Sequence, residues 1–119
     1  MSNSVFYKTD FQATKKYSEK KVSKQSEQIL EEQLISLLKK QGYQVFAIEQ
    51  TSHSVFLQNV AFANGPVAFV FGNEIDGVAT NVIDCCDGVI EIPQLGTKHS
   101  FNIAVSCGMV LWEYARTRV

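Results

Sequence analysis

The clearest periodic pattern in the chain lies between residues 26 and 42. Ile29, Leu30, Leu34, Leu37 and Leu38 recur at helical spacing among polar positions. Glu27, Glu31 and Glu32 come early and Lys39 and Lys40 late, the order a helix dipole favours. The pattern predicts a helix with Ser26 as candidate N-cap and Gly42 as the residue just past its end. The period then changes. Tyr43–Gln50 (YQVFAIEQ) is short, rich in β-favouring residues and flanked by breakers, so it reads as a strand. Residues 51–60 form a polar-then-apolar connector, and Asn64-Gly65-Pro66 marks a turn. Val67–Phe71 (VAFVF) is apolar at every position, as in a parallel strand covered on both faces. Residues 76–84 read as a short helix, and Gly88–Ile92 (GVIEI) as a third strand stopped by Pro93. From Ser100 to Arg116 the apolar residues occupy more than one face of a closing helix, which predicts burial on two sides, one of them by a partner subunit. Residues 1–25 show no sustained period; only Val5-Phe6-Tyr7 suggests a short strand.

Helices and strands alternate with short connections. That order predicts an α/β fold, a parallel sheet with right-handed crossovers and helices on its faces. The expected division is a basic, weakly patterned segment over 1–25 and one domain over 26–119.

The chain has 119 residues, 45% hydrophobic and 19% charged, enough apolar material for one small core. A net charge of −1 says nothing about nucleic acid by itself, but the charge is unevenly placed. Residues 1–25 hold six lysines against Asp10 and Glu19, and the remainder is net acidic. Read without a motif, the lysine-rich start is a solvated terminus. Cys85, Cys86 and Cys107 have neither C-x-x-C spacing nor a zinc-ligand set around them. They are expected to be reduced thiols of a cytoplasmic protein, with Cys107 in the core and no metal bound. The N-terminus lacks a secretory pattern, and the apolar runs are far short of a membrane span.

In open α/β sheets, ligands bind beyond the carboxyl ends of strands. Two loops leave such ends here: Gly72-Asn73-Glu74-Ile75-Asp76-Gly77, and the stretch from Ile92 to Asn102, IPQLGTKHSFN. Both lead into predicted helices, whose first N–H groups can hold a ligand oxygen. Neither is a P-loop or a G-x-G-x-x-G dinucleotide fingerprint. His53 and His99 have no acid or nucleophile at a readable spacing. Taken alone, Glu74 is a solvated loop carboxylate, and Ser100 and Asn102 are helix caps.

Together the two loops carry more. FVFGNEIDGV, followed by IEIPQLGTKHSFNIAVSCGMVLWEYAR, resembles the second and third motifs of the SpoU-type (TrmH-like) RNA 2′-O-ribose methyltransferases of the SPOUT superfamily. The family pattern is G-x-E-x-x-G at one strand end, then I-P-x-x-G-x-x-x-S-L-N before a hydrophobic C-terminal helix. Order and spacing match, with Phe101 in place of the leucine. The preceding LISLLKKQGYQVFAIEQTSHSV is similar to the family's helix–strand unit, so the resemblance covers roughly 26–117.

The resemblance implies a SPOUT-like sheet with a C-terminal trefoil knot, S-adenosylmethionine bent within it, and a homodimer through the C-terminal helix. It implies methyl transfer to a ribose 2′-hydroxyl of tRNA or rRNA. By position, Glu74, Ser100 and Asn102 would be catalytic. Phe71, Gly72, Asn73, Gly77, Ile92, Leu95, Ser100 and Phe101 would contact the cofactor. One family feature is absent. The first motif, with its catalytic arginine, should lie upstream, yet Arg116 and Arg118 near the C-terminus are the only arginines. The chain therefore reads as a family domain without its first third. That leaves a second expectation, a catalytically silent module that binds cofactor or dimerises.

Overall fold

The computed structural model describes residues 5–8, 15–16, 24–72, 76–94 and 102–119, of which 5–8, 15–16 and 24–25 by their backbone alone. Its elements are β1 (Val5–Lys8), β2 (Lys15–Lys16), α1 (Lys24–Lys40), β3 (Gln44–Ile48), β4 (Val55–Phe56), a 3₁₀ turn (Leu57–Asn59), β5 (Val67–Phe71), α2 (Thr80–Cys85), β6 (Gly88–Glu91) and α3 (Ile103–Arg116). They form one sheet in the order β2-β1-β5-β3-β6-β4.

The three strands read from the sequence form the centre of that sheet. β3 pairs in parallel with β5 on one side and β6 on the other. Two strands, β4 and β2, were missed. β4 adds a parallel edge beside β6, while β1 runs antiparallel to β5 and β2 antiparallel to β1, so the sheet is mixed. β4 and β2 are two residues each, too short to show a period. Val5-Phe6-Tyr7, the suggested strand, is in β1.

Successive residues of β3 and β5 face opposite ways, and both faces are covered. On one face Phe46, Val67, Phe69, Phe71 and Ile90 pack with Leu57 and with Cys107 and Val110 of α3. Phe62 and Tyr114 close this layer, each meeting Phe69 edge-on at 5.9 and 6.3 Å between ring centres. On the other face Val45, Ala47, Ala68 and Val70 pack under Ile35 and Leu38 of α1 and Val82 of α2. The large rings thus lie on the single-helix side and the alanines under the helix pair.

Helix ends show where local chemistry decided the outcome. α1 begins at Lys24, so Ser26 lies inside its first turn and is not the N-cap; nothing in Lys24-Gln25 opposes helix. At its other end Gly42 sits at φ 92°, its N–H donating to the Lys39 carbonyl while Tyr43 N–H donates to that of Leu38, both at 3.0 Å. This Schellman arrangement takes Tyr43 out of the strand. α2 starts at Thr80 rather than 76, because Gly77 and Val78 are engaged elsewhere. α3 starts at Ile103 with Asn102 as N-cap.

The connection from β3 to β4 has an unusual geometry. Parallel neighbours normally require a crossover of a dozen residues or more. Here six residues, 49–54, join the two, and β6 lies between them. Ile48 and Val55 both stand level with Ile90, one on each side. The six residues therefore arch across the carboxyl end of β6. Thr51 and Ser54 brace the arch, the single Ser54 hydroxyl proton lying between the Thr51 carbonyl at 2.8 Å and Glu91 Oε1 at 2.6 Å. The residues that would complete the expected knot, 95–101, lie outside the described residues.

Candidate functional site

Because β5 and β6 both flank β3, the two loops singled out in the sequence leave the sheet on either side of the carboxyl end of β3. Their common neighbour is Glu49, the first residue after β3. Its N–H donates to the Ile90 carbonyl at 3.0 Å, tying it to β6. Its Oε1 accepts from Val78 N–H at 2.9 Å, tying it to the far end of the Gly72–Gly77 loop. Oε2 accepts from Gln50 N–H at 3.2 Å. The sequence reading did not single out Glu49. The available signal was an acid at the end of an apolar strand, which acquires meaning only once β3 is known to be central.

The glycines of the first loop are set by close approach. A Cβ on Gly72 would collide with the main chain of Gly77 and Val78, so the two ends of the loop touch. Gly77 lies at φ 67°, a conformation that side chains disfavour, and a Cβ there would fall on the Glu49 carboxylate. Between them Asn73 and Glu74 lie outside the described residues. Phe71, at the strand end, is 3% exposed, and its side chain belongs to the core.

On the β6 side, Ile92 is half-buried and packs against the aromatic layer. Leu95, Ser100 and Phe101 lie outside the described residues. Asn102 is exposed, and its Oδ1 accepts from Val105 N–H at 2.9 Å. That is the N-cap geometry expected of it, and it leaves the amide NH₂ to donate elsewhere. The described part of the site is thus backbone and small residues around Glu49, with Asn102 at the start of α3.

Neither arginine belongs to this region. α3 has 14 residues and so spans about 20 Å, which places Arg116 and Arg118 far from Asn102. Arg116 makes a two-pronged contact with Glu113 at 2.9 and 2.6 Å. Arg118 donates to the Ala63 carbonyl at 2.6 Å and stacks 4.6 Å over the Tyr114 ring.

Two other features are structural. A cleft of about 440 Å³ between α1 and α2 is lined by Glu32, Ser36, Lys39, Lys40 and Cys85, near the opposite ends of the strands. Its Lys39 is committed to the Cys85 carbonyl at 3.1 Å and to Asp87 at 3.7 Å. Burial, helped by the charges of Cys85 and Asp87, pushes the Cys86 thiol up to about 12, so it is protonated and unreactive at neutral pH. Cys107 is buried, as expected. No helix among the described residues is long and apolar enough to cross a membrane.

Comparison with known proteins agrees with this architecture. The family model for the SpoU rRNA Methylase family matches residues 2–112. A mouse tRNA (guanosine(18)-2′-O)-methyltransferase, TARBP1, is 37% identical over 81 residues, 68% of this chain and 5% of that one. The crystal structure of the Aquifex aeolicus TrmH/SpoU tRNA modifying enzyme superposes with a TM-score of 0.65 at 32% identity, over 72% of this chain and 43% of that one. An AdoMet-bound rRNA methyltransferase from Sinorhizobium meliloti superposes with a TM-score of 0.61 at 26% identity, over 71% and 33%. The chain spans less than half the length of each of these relatives. On the family model's extent and the shared fold, the chain belongs to the SpoU methylase family.

Proposed function

We propose that the protein carries out S-adenosylmethionine-dependent methyl transfer to a ribose 2′-hydroxyl of tRNA or rRNA, in the cytoplasm. The observation that supports this most is that the G-N-E-I-D-G and I-P-Q-L-G-T-K-H-S-F-N segments follow β5 and β6, the two strands that flank β3, in a chain matched by the SpoU model over 2–112. Gly72 and Gly77 let the two ends of the first loop close against each other and against Glu49, which fixes where that loop leaves β5. When bound, S-adenosylmethionine supplies an electrophilic methyl group. Gly72, Asn73 and Gly77 would hold it on one side, and Ile92, Leu95, Ser100 and Phe101 on the other, with Phe71 contributing as the floor. Ser100 and the amide NH₂ of Asn102 would fix the ribose, and the Glu74 carboxylate would take the proton that its 2′-hydroxyl loses.

The same reading includes a knot formed by residues 92–102 passing the 49–54 arch, and a homodimer through α3. The exposed side of α3 supports the dimer. Ala104, Val105, Gly108, Trp112 and Ala115 are exposed, Trp112 at 65%, and a Cβ on Gly108 would meet nothing. An apolar helix face of this kind suits a second copy.

One observation favours the second reading, a silent cofactor-binding or dimerising module. Both arginines are engaged at the far end of α3. The deciding experiment combines calorimetric titration with S-adenosylmethionine and transfer of labelled methyl to bulk tRNA and rRNA. Binding with transfer supports the enzyme; binding without transfer supports the cofactor-binding module; no binding rejects both of these cofactor-based readings and leaves the dimerising module.

A further inference from the structure

We propose that Glu49 is a positioning residue whose carboxylate fixes the Gly72–Gly77 loop at the carboxyl end of β3, an inference that rests on the methyltransferase reading above. Its main chain is tied to β6 through the Ile90 carbonyl, and its carboxylate is tied to Val78 N–H just beyond the Gly72–Gly77 loop. Val78 is itself a fixed point, 6% exposed and packed in the α1-side core. Gly72 in turn lies against Gly77 and Val78, so both ends of the loop carrying Asn73 and Glu74 are indexed to one carboxylate. Both carboxylate oxygens accept main-chain N–H groups, the stronger, charge-assisted kind of hydrogen bond. Gly77 leaves the space that this carboxylate fills.

The structure supplies its own control. Asp87 plays a matching part at the other end of the same strands, its Oδ2 accepting from Val45 N–H at 2.7 Å and so joining β6 to β3. Among the described residues Asp87 contacts Val45 and Lys39, at the end of the sheet away from both loops. A residue that merely holds the sheet should behave like Asp87; a positioning residue should not.

The test compares Glu49→Ala, Glu49→Gln and Asp87→Ala in the full chain. It reads amide hydrogen exchange at Val78 by NMR and S-adenosylmethionine affinity by calorimetry. Glu49→Ala is expected to speed exchange at Val78 and weaken cofactor binding, each by about tenfold, the loss of one charge-assisted hydrogen bond. Glu49→Gln, which keeps an acceptor oxygen, is expected to retain affinity within about threefold. Asp87→Ala is expected to lower thermal stability while affinity stays within about twofold. If Glu49→Ala does not fold, Glu49→Asp, too short to reach Val78, replaces it under the same criteria. Unchanged exchange at Val78 overturns the proposal, as does faster exchange with unchanged affinity, or an equal loss of affinity in Asp87→Ala. If the wild-type chain binds no cofactor, the methyltransferase reading fails, and the exchange at Val78 alone decides whether Glu49 holds the loop.

Discussion

The carboxylate of Glu49 occupies the space that a side chain on Gly77 would need. The two residues are therefore coupled, and Gly77→Ala carries two penalties, a disfavoured positive φ and a collision. The substitution is expected to cost roughly 2–4 kcal/mol in urea unfolding. In a Glu49→Ala background the collision is removed, and the cost of the same substitution should fall to about 1–2 kcal/mol. Additive losses in the double variant would show that the two residues do not share this space.

Asn102 joins a structural role to a proposed chemical one, and the two separate by substitution. Asn102→Ala removes the bond to Val105 N–H and should cost about 1 kcal/mol. Asn102→Asp keeps the acceptor and places a negative charge where the dipole of α3 favours it, so its thermal midpoint should equal or exceed that of the wild type. The aspartate lacks the amide NH₂. Loss of methyl transfer in a fully stable Asn102→Asp would assign the chemistry to that group, whereas full activity would confine the residue to capping.

Cys86 makes stability sensitive to alkaline pH. Its thiol is raised in the folded chain from the ordinary 9.0 to about 12, chiefly by burial. Below pH 9 it is protonated whether the chain is folded or not, and stability does not depend on it. Between pH 9 and about 12 the unfolded chain loses this proton first, so stability falls as pH rises. Unfolding curves of the wild type and Cys86→Ala should run parallel from pH 6 to 8.5 and diverge above it, the wild type declining faster. Curves that remain parallel to pH 10.5 would contradict the burial of this thiol.

Trp112 reports on the α3 face because it is the sole tryptophan. In the proposed homodimer its ring leaves water, so emission should shift to shorter wavelength as concentration rises, in step with sedimentation of a dimer. Trp112→Arg places a charge on that face and should sediment as a monomer at every concentration. A wild-type chain that is monomeric throughout would remove the dimer from the proposal.

Much of the fold was legible because its central elements carry their own periodicity. The leucine stripe of α1, the unbroken apolar run of β5 and the breaker-bounded β3 and β6 each declare themselves over four residues or more. The elements that escaped are defined by partners instead. β4 is two residues long and becomes a strand through pairing with β6, 35 residues downstream. The delayed start of α2 has the same origin, since Val78 N–H is taken by a carboxylate 29 residues away. The site was legible as two loops, because glycines and prolines punctuate the sequence. What lies between them was not: nothing local distinguishes Glu49 from any other acid at a strand end.

The six-residue arch from β3 to β4 also constrains the order of assembly. Among the described residues β4 pairs only with β6, so the edge strand stays unpaired until residues 88–91 arrive between β3 and β4. Local contacts cannot prepay that step; the loop-closure entropy of bringing residues 88–91 back to 44–56 must be met before any pairing there rewards it. The last strand in the chain is thus the one that completes the middle of the sheet. During synthesis the aromatic face remains open until β6 and α3 have both emerged.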